Sequence, residues 1–142
     1  MKKITKLLIV FIIGIILGYN INDNNIINRL FTNKYKAFQI GVYTDYNTAN
    51  IYSKKYKDSI IIEDNELYRV YIAILKEQDN INNMSKYLNN NNIEYFIKDI
   101  EINDKKIIKD IKEYESIMNN NEIVFLEINK MIMEKYKESL WN

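Results

Sequence analysis

The chain has 142 residues, of which 47% are apolar and 27% charged, enough for one domain with a buried core and an appendage. It contains neither cysteine nor histidine, which excludes disulfides, thiolate metal sites, thiol catalysis and imidazole acid–base chemistry, so neither a cofactor nor a metal is expected. The net charge of +1 is unevenly divided: residues 1–36 carry +5 and residues 37–142 carry −4, so the folded part lacks the positive field that nucleic-acid binding requires.

Residues 1–6 form a basic tail with Lys2, Lys3 and Lys6. The apolar run LLIVFIIGIILGY comes next, longer than a core strand and without a polar side, so residues 7–21 read as a transmembrane anchor. The run ends in Gly18-Tyr19-Asn20, which lacks the small-residue pattern of a signal-peptide cleavage site, so an anchor is expected rather than a cleaved leader. The lysines place the amino terminus in the cytoplasm and the remainder on the outer side of the membrane. Residues 22–35, polar and asparagine-rich, read as a tether; the stretch 20–35, if flexible, has an end-to-end distance of roughly 20 to 25 Å.

Residues 36–102 alternate short β-like and helical runs in the order strand, helix, strand, strand, helix, strand. That order predicts an α+β fold, a βαββαβ (ferredoxin-like) four-stranded antiparallel sheet with two helices on one face. In the first strand, residues 37–43, Phe38, Ile40 and Val42 should face the helices and Gln39, Gly41 and Tyr43 the other side. Asp45 or Asn47 can cap a helix that presents Ala49, Tyr52, Ser53 and Tyr56 to the sheet. Residues 59–64 and 67–74 read as a hairpin turning at Asn65-Glu66, with Tyr68, Val70, Ile72 and Ile74 on one face and Arg69 and Tyr71 on the other. Asp79 can cap a second helix with Ile81, Met84 and Leu88 buried, and the asparagine run 89–92 suits a left-handed termination before the last strand, residues 93–102.

With the first and third strands at the centre of the sheet, Gln39, Gly41, Tyr43, Arg69 and Tyr71 fall together on the helix-free face. An amide, a guanidinium and two phenols over a glycine suit a polar, ring-containing ligand. These residues resemble the SPOR domain, a peptidoglycan-binding module of bacterial division, sporulation and cell-wall proteins. The likeness covers about residues 36–100. It rests on Phe-Gln-Ile-Gly-Val-Tyr at 38–43, the Asn-x-Ala helix start at 47–49, Leu67-Tyr68-Arg69-Val70, and the helix with Met84 and Leu88. The resemblance implies recognition of glycan strands stripped of their stem peptides, with Gln39 and Arg69 at the positions matching the family's strand-one glutamine and strand-three basic residue. Val42 stands where many members have serine, and Ile72-Ala73-Ile74 replaces the usual Ile-Gly-Pro.

Residues 103–142 continue beyond the resemblance as a helical extension. Ile107, Ile108, Ile111, Tyr114 and Met118 make one stripe; Ile123, Leu126, Ile128, Met131, Ile132, Tyr136 and Leu140 make a broader one, with a break at residues 119–121. Such a pair either docks on its own domain or offers a surface to a protein partner. Carboxylate pairs such as Glu63 and Asp64, or Glu113 and Glu115, read as solvated charge, and no enzymatic activity is expected. The expected function is membrane-anchored binding of peptidoglycan glycan strands. The alternative is a protein-interaction subunit of an envelope complex that keeps the fold.

Overall fold

The computed structural model describes residues 33–118 and 121–140. The expected anchor at 7–21 lies outside the described residues, as does most of the tether. Among the described residues no helix is long and apolar enough to cross a membrane.

Residues 33–142 form one compact unit. Its elements run β1 (Lys34–Tyr43), α1 (Tyr46–Ser53), β2 (Ile60–Asp64), β3 (Leu67–Leu75), α2 (Gln78–Asn90), β4 (Phe96–Glu101), α3 (Lys105–Ile117) and α4 (Glu122–Ser139). The sheet order is β2-β3-β1-β4, with every neighbouring pair antiparallel. The βαββαβ order and the central place of β1 and β3 are as expected, although β1 starts earlier and β4 later than the apolar pattern suggests.

Local chemistry accounts for most of the element ends. The Asp45 carboxylate accepts from the Thr48 amide at 2.7 Å and caps α1, while Asp104 and Asn121 cap α3 and α4 in the same way. The hairpin between β2 and β3 turns on Asn65 and Glu66, with φ of 53° and 62°, the left-handed pair that a two-residue turn requires. After α2, Asn92 takes φ 54° and the Ile93 amide donates to the Leu88 carbonyl at 2.9 Å, closing the helix as the asparagine run suggests. The start of α2 differs from expectation. Its cap position is Glu77, which makes no side-chain cap bond, and Asp79 lies inside the first turn. The amides leading into α2 are held instead by a distant residue: the Glu115 carboxylate of α3 accepts from Lys76 N at 2.9 Å and Glu77 N at 3.0 Å.

The pairing of β1 with β3 is interrupted at one place. Phe38 lies opposite Ala73, Gln39 opposite Tyr71 and Gly41 opposite Val70, so Ile72 and Ile40 are each an extra residue. Because side chains alternate with a period of two, an extra residue on each strand reverses the facing of everything beyond it. One face therefore carries Phe38, Gly41, Tyr43, Tyr68 and Val70 and packs on α1 and α2. Tyr43 contacts the Tyr52 ring at 5.4 Å, Tyr68 meets Tyr46 at 5.5 Å, and Phe38 meets Tyr95 at 5.5 Å. The second face carries Tyr35, Ala37, Gln39, Val42, Arg69, Tyr71 and Ile74.

Helices α3 and α4 pack as a pair on this same domain. β2 accompanies β3 only as far as Tyr71, and α4 takes up the uncovered edge beyond it, where the buried Asn129 side-chain amide donates to the Ile72 carbonyl at 2.9 Å. Ile107 and Ile111 of α3 are buried, as are Phe125, Ile128, Ile132 and Met133 of α4. Fully burying such side chains is worth roughly 1.5–3 kcal/mol each. Three members of the expected second stripe stay outside the core: Ile123 at 72%, Leu140 at 44% and Met131 at 42% exposure.

Candidate functional site

The second sheet face is divided by the carboxyl-terminal helices. At one end Tyr35, Ala37, Ile74 and Tyr71 are all buried. The groups beside them come from the extension and from the start of α2. Burial, with the Glu115 and Glu77 carboxylates nearby, raises the Tyr35 phenol to about 12; burial, and then the neighbouring Tyr71, raises the phenol of Tyr136 on α4. At the other end the face is open, and Gln39 and Arg69 meet there.

These two residues belong to a network with one side chain from every strand. Arg69 of β3 donates from Nη1 to Gln39 Oε1 of β1 at 3.1 Å and from Nε to Asp64 Oδ2 of β2 at 2.9 Å. Lys98 of β4 reaches across the sheet and donates to the same Asp64 oxygen at 2.7 Å. Asp64 Oδ1 accepts from the side-chain amide of Asn65 at 3.0 Å. The hydrogen bond from Lys98, with the charges of Lys98 and Arg69, holds the Asp64 carboxyl below its ordinary value. All three charged groups stay partly open to solvent, with side-chain exposures of 19% for Arg69, 32% for Asp64 and 36% for Lys98. Phe96, directly opposite Gln39 on β4, is 65% exposed, and Val42, opposite Arg69, is 40% exposed.

The five residues expected on the open face therefore separate. Gln39 and Arg69 come together there. Tyr71 lies on the same face but is buried at its covered end. Gly41 and Tyr43 lie on the opposite face, because the extra residue at Ile40 turns the strand over. Gly41 faces Tyr43 instead of a ligand: a Cβ added to it would come within 2.7 Å of the Tyr43 ring. Val42, expected among the helix-facing residues, takes the open position instead.

Three residues of the open patch escape a reading of the sequence. Asp64 looks like solvated charge beside Glu63, yet it is the hub of the network, while Glu63 alternates to the other face. Lys98 and Phe96 are legible only as alternate positions of the last strand, and their facing depends on the pairing of Phe96 with Gln39 and of Lys98 with Ala37. Glu115, also expected to be solvated, is a buried carboxylate whose pKa is raised by burial against its three hydrogen-bond donors, which lower it.

The patch is flat. A groove of about 700 Å³ lies elsewhere, among Tyr56, Ile72, Tyr87, Ile93 and Leu126, and another of about 560 Å³ lies among Tyr46, Ile61, Tyr68 and Leu140. None of the four network side chains lines either. Among the described residues no group of three or more carboxylates is arranged to hold a metal ion.

No family model matches the chain, and no curated protein matches it. Among solved structures, the chain is similar to the solution structure of the peptidoglycan binding domain of the B. subtilis cell wall lytic enzyme CwlC. The identity is 19%, the match covers 48% of this chain and 91% of that one, and the TM-score is 0.42.

Proposed function

We propose that this protein is a non-enzymatic, membrane-anchored module that binds peptidoglycan glycan strands through the open end of its second sheet face, in division, sporulation or cell-wall remodelling. The observation that carries the reading is the four-strand network beside an exposed phenyl ring. Asp64 holds a guanidinium and an ammonium in place, the guanidinium in turn bonds the Gln39 amide oxygen, and Phe96 stands opposite Gln39 on the neighbouring strand. Sugar rings carry hydroxyl and acetamido groups at their rims and C–H groups on their faces. Planar polar side chains bond the former and an aromatic ring packs against the latter. The lysine-flanked apolar run at residues 7–21 supports attachment to the membrane with the domain outside, within reach of the wall.

The test is co-sedimentation of the full chain, in detergent, with purified cell-wall sacculi before and after an amidase removes the stem peptides. Binding should rise after amidase treatment and fall in the Gln39→Ala, Arg69→Ala double variant. No rise, together with no effect of the double variant, removes glycan binding as the function.

A second reading, a protein-interaction subunit of an envelope complex, is favoured by Ile117 and Ile123, which are 60% and 72% exposed on either side of the turn between α3 and α4. It requires that an Ile117→Lys, Ile123→Lys variant lose its cellular position while still pelleting with sacculi.

A further inference from the structure

Asp64 occupies the place on the open face where two cations converge. A single oxygen, Oδ2, accepts from both Arg69 Nε and Lys98 Nζ, at 2.9 and 2.7 Å. Lys98 lies on β4 and Asp64 on β2, the two edge strands of the sheet, so this bond joins strands that are not neighbours. The other strand carboxylates, Glu63, Asp99 and Glu101, alternate to the opposite face, so the network holds two positive charges against one negative. Two donors of Arg69, on Nη2, make no hydrogen bond among the described residues. Asp64 itself is partly solvated and sits at the last position of β2, next to a turn whose Glu66 is held at φ 62°. The side chain is therefore accessible and neighbours a strained turn, and its bonds are of the kind a ligand carboxylate forms with the same two cations.

We propose that Asp64 is an internal stand-in for a ligand carboxylate, so that the patch selects a sugar bearing an anionic group and Asp64 sets its affinity by competing for Arg69 and Lys98. This inference rests on the glycan-binding reading. Removal of a stem peptide leaves a free lactyl carboxylate on each N-acetylmuramic acid ring, which is the group such a cation pair would take. A rim hydroxyl can take over one of the two donors; a carboxylate can take both, which is where the selectivity arises.

The experiment measures the affinity of the full chain in detergent for two soluble tetrasaccharides. One alternates N-acetylglucosamine with peptide-free N-acetylmuramic acid, and the other is the neutral N-acetylglucosamine tetramer. The native chain should favour the carboxylated probe by about tenfold, the ratio expected when one charge-assisted contact is gained. Asp64→Asn, which keeps the shape of the side chain, should tighten the carboxylated probe by about a further tenfold and leave the neutral one within about twofold. Lys98→Gln should bring the two probes to the same affinity. In the native chain the Arg69 Nε–H resonance should move on adding the carboxylated probe, because its acceptor changes. Equal affinities in the native chain, or weaker carboxylate binding in Asp64→Asn, overturn the proposal. A chain that pellets with sacculi yet fails to discriminate between the probes overturns this inference alone. One that never pellets overturns the glycan-binding reading as well.

Discussion

The two ends of the second sheet face begin from similar raw material and finish as different surfaces. At the end reached by α3 and α4, the strand residues Tyr35, Ala37, Ile74 and Tyr71 are sealed from water and act as core. At the other end, Gln39, Arg69, Asp64 and Lys98 lie open and bond one another across four strands. The central strands β1 and β3 supply residues to both ends. The difference lies in the cover, so the open area of a sheet face in a fold of this kind is decided by the helices that pack on it as much as by the strands themselves.

The largest expected break in that comparison is at the covered end. Ile74→Ala removes a fully buried side chain and should cost about 2–5 kcal/mol, measured by denaturant unfolding, whereas Phe96→Ala at the open end should stay within about 0.5 kcal/mol. Equal losses at both positions would mean that the open end is packed in solution.

Glu115 fastens the cover, joining α3 to the amides that lead into α2. Glu115→Ala leaves those buried donors without their acceptor and should cost about 1–3 kcal/mol. Its pH dependence has a defined sign. Burial raises the carboxyl above its ordinary value of 4.5, so the folded chain holds this proton more tightly than the unfolded chain. The Glu115 contribution to stability is then full below about pH 4.5 and declines as pH rises through the folded value. Glu115→Gln should flatten that decline in unfolding curves taken across the interval.

A smaller effect is expected at the turn beside the open end. Glu66 holds a left-handed conformation that costs a side-chain-bearing residue roughly 1–2 kcal/mol, and Glu66→Gly should recover part of it, seen as a rise in Tm. The smallest effect on folding belongs to Lys98→Gln, which breaks a partly exposed, solvent-screened ion pair. There the loss should appear in glycan affinity, which separates the two ends by function as the first substitution separates them by stability.

Much of the architecture is legible without coordinates. The alternation around Ile60–Asp64 and Leu67–Leu75, the turn at Asn65-Glu66, the cap at Asp45 and the helix break before Asn121 arise from propensity and from the backbone bonds that short polar side chains make. The facing of β1 is not legible. Strict alternation places Tyr43 with Gln39, and no local signal in Phe-Gln-Ile-Gly-Val-Tyr marks Ile40 as an extra residue, because its counterpart is Ile72, more than thirty positions away. The network is hidden for a related reason: Asp64 and Lys98 are separated by 34 positions and lie on opposite edge strands, and they meet only because both side chains project from the same face of the folded sheet.

The sequence by itself determined the order of elements, the central pairing of β1 with β3 and the presence of Gln39 and Arg69 on neighbouring strands, since these depend on local periodicity and on few ways of connecting four strands. Only the tertiary structure decided which side of the sheet each residue faces beyond Ile40 and Ile72, which end of the second face stays open, and that Asp64 fills the space between two cations. Those features arise from pairing and packing between distant segments, and the energies that set them reside in contacts that no short window of sequence contains.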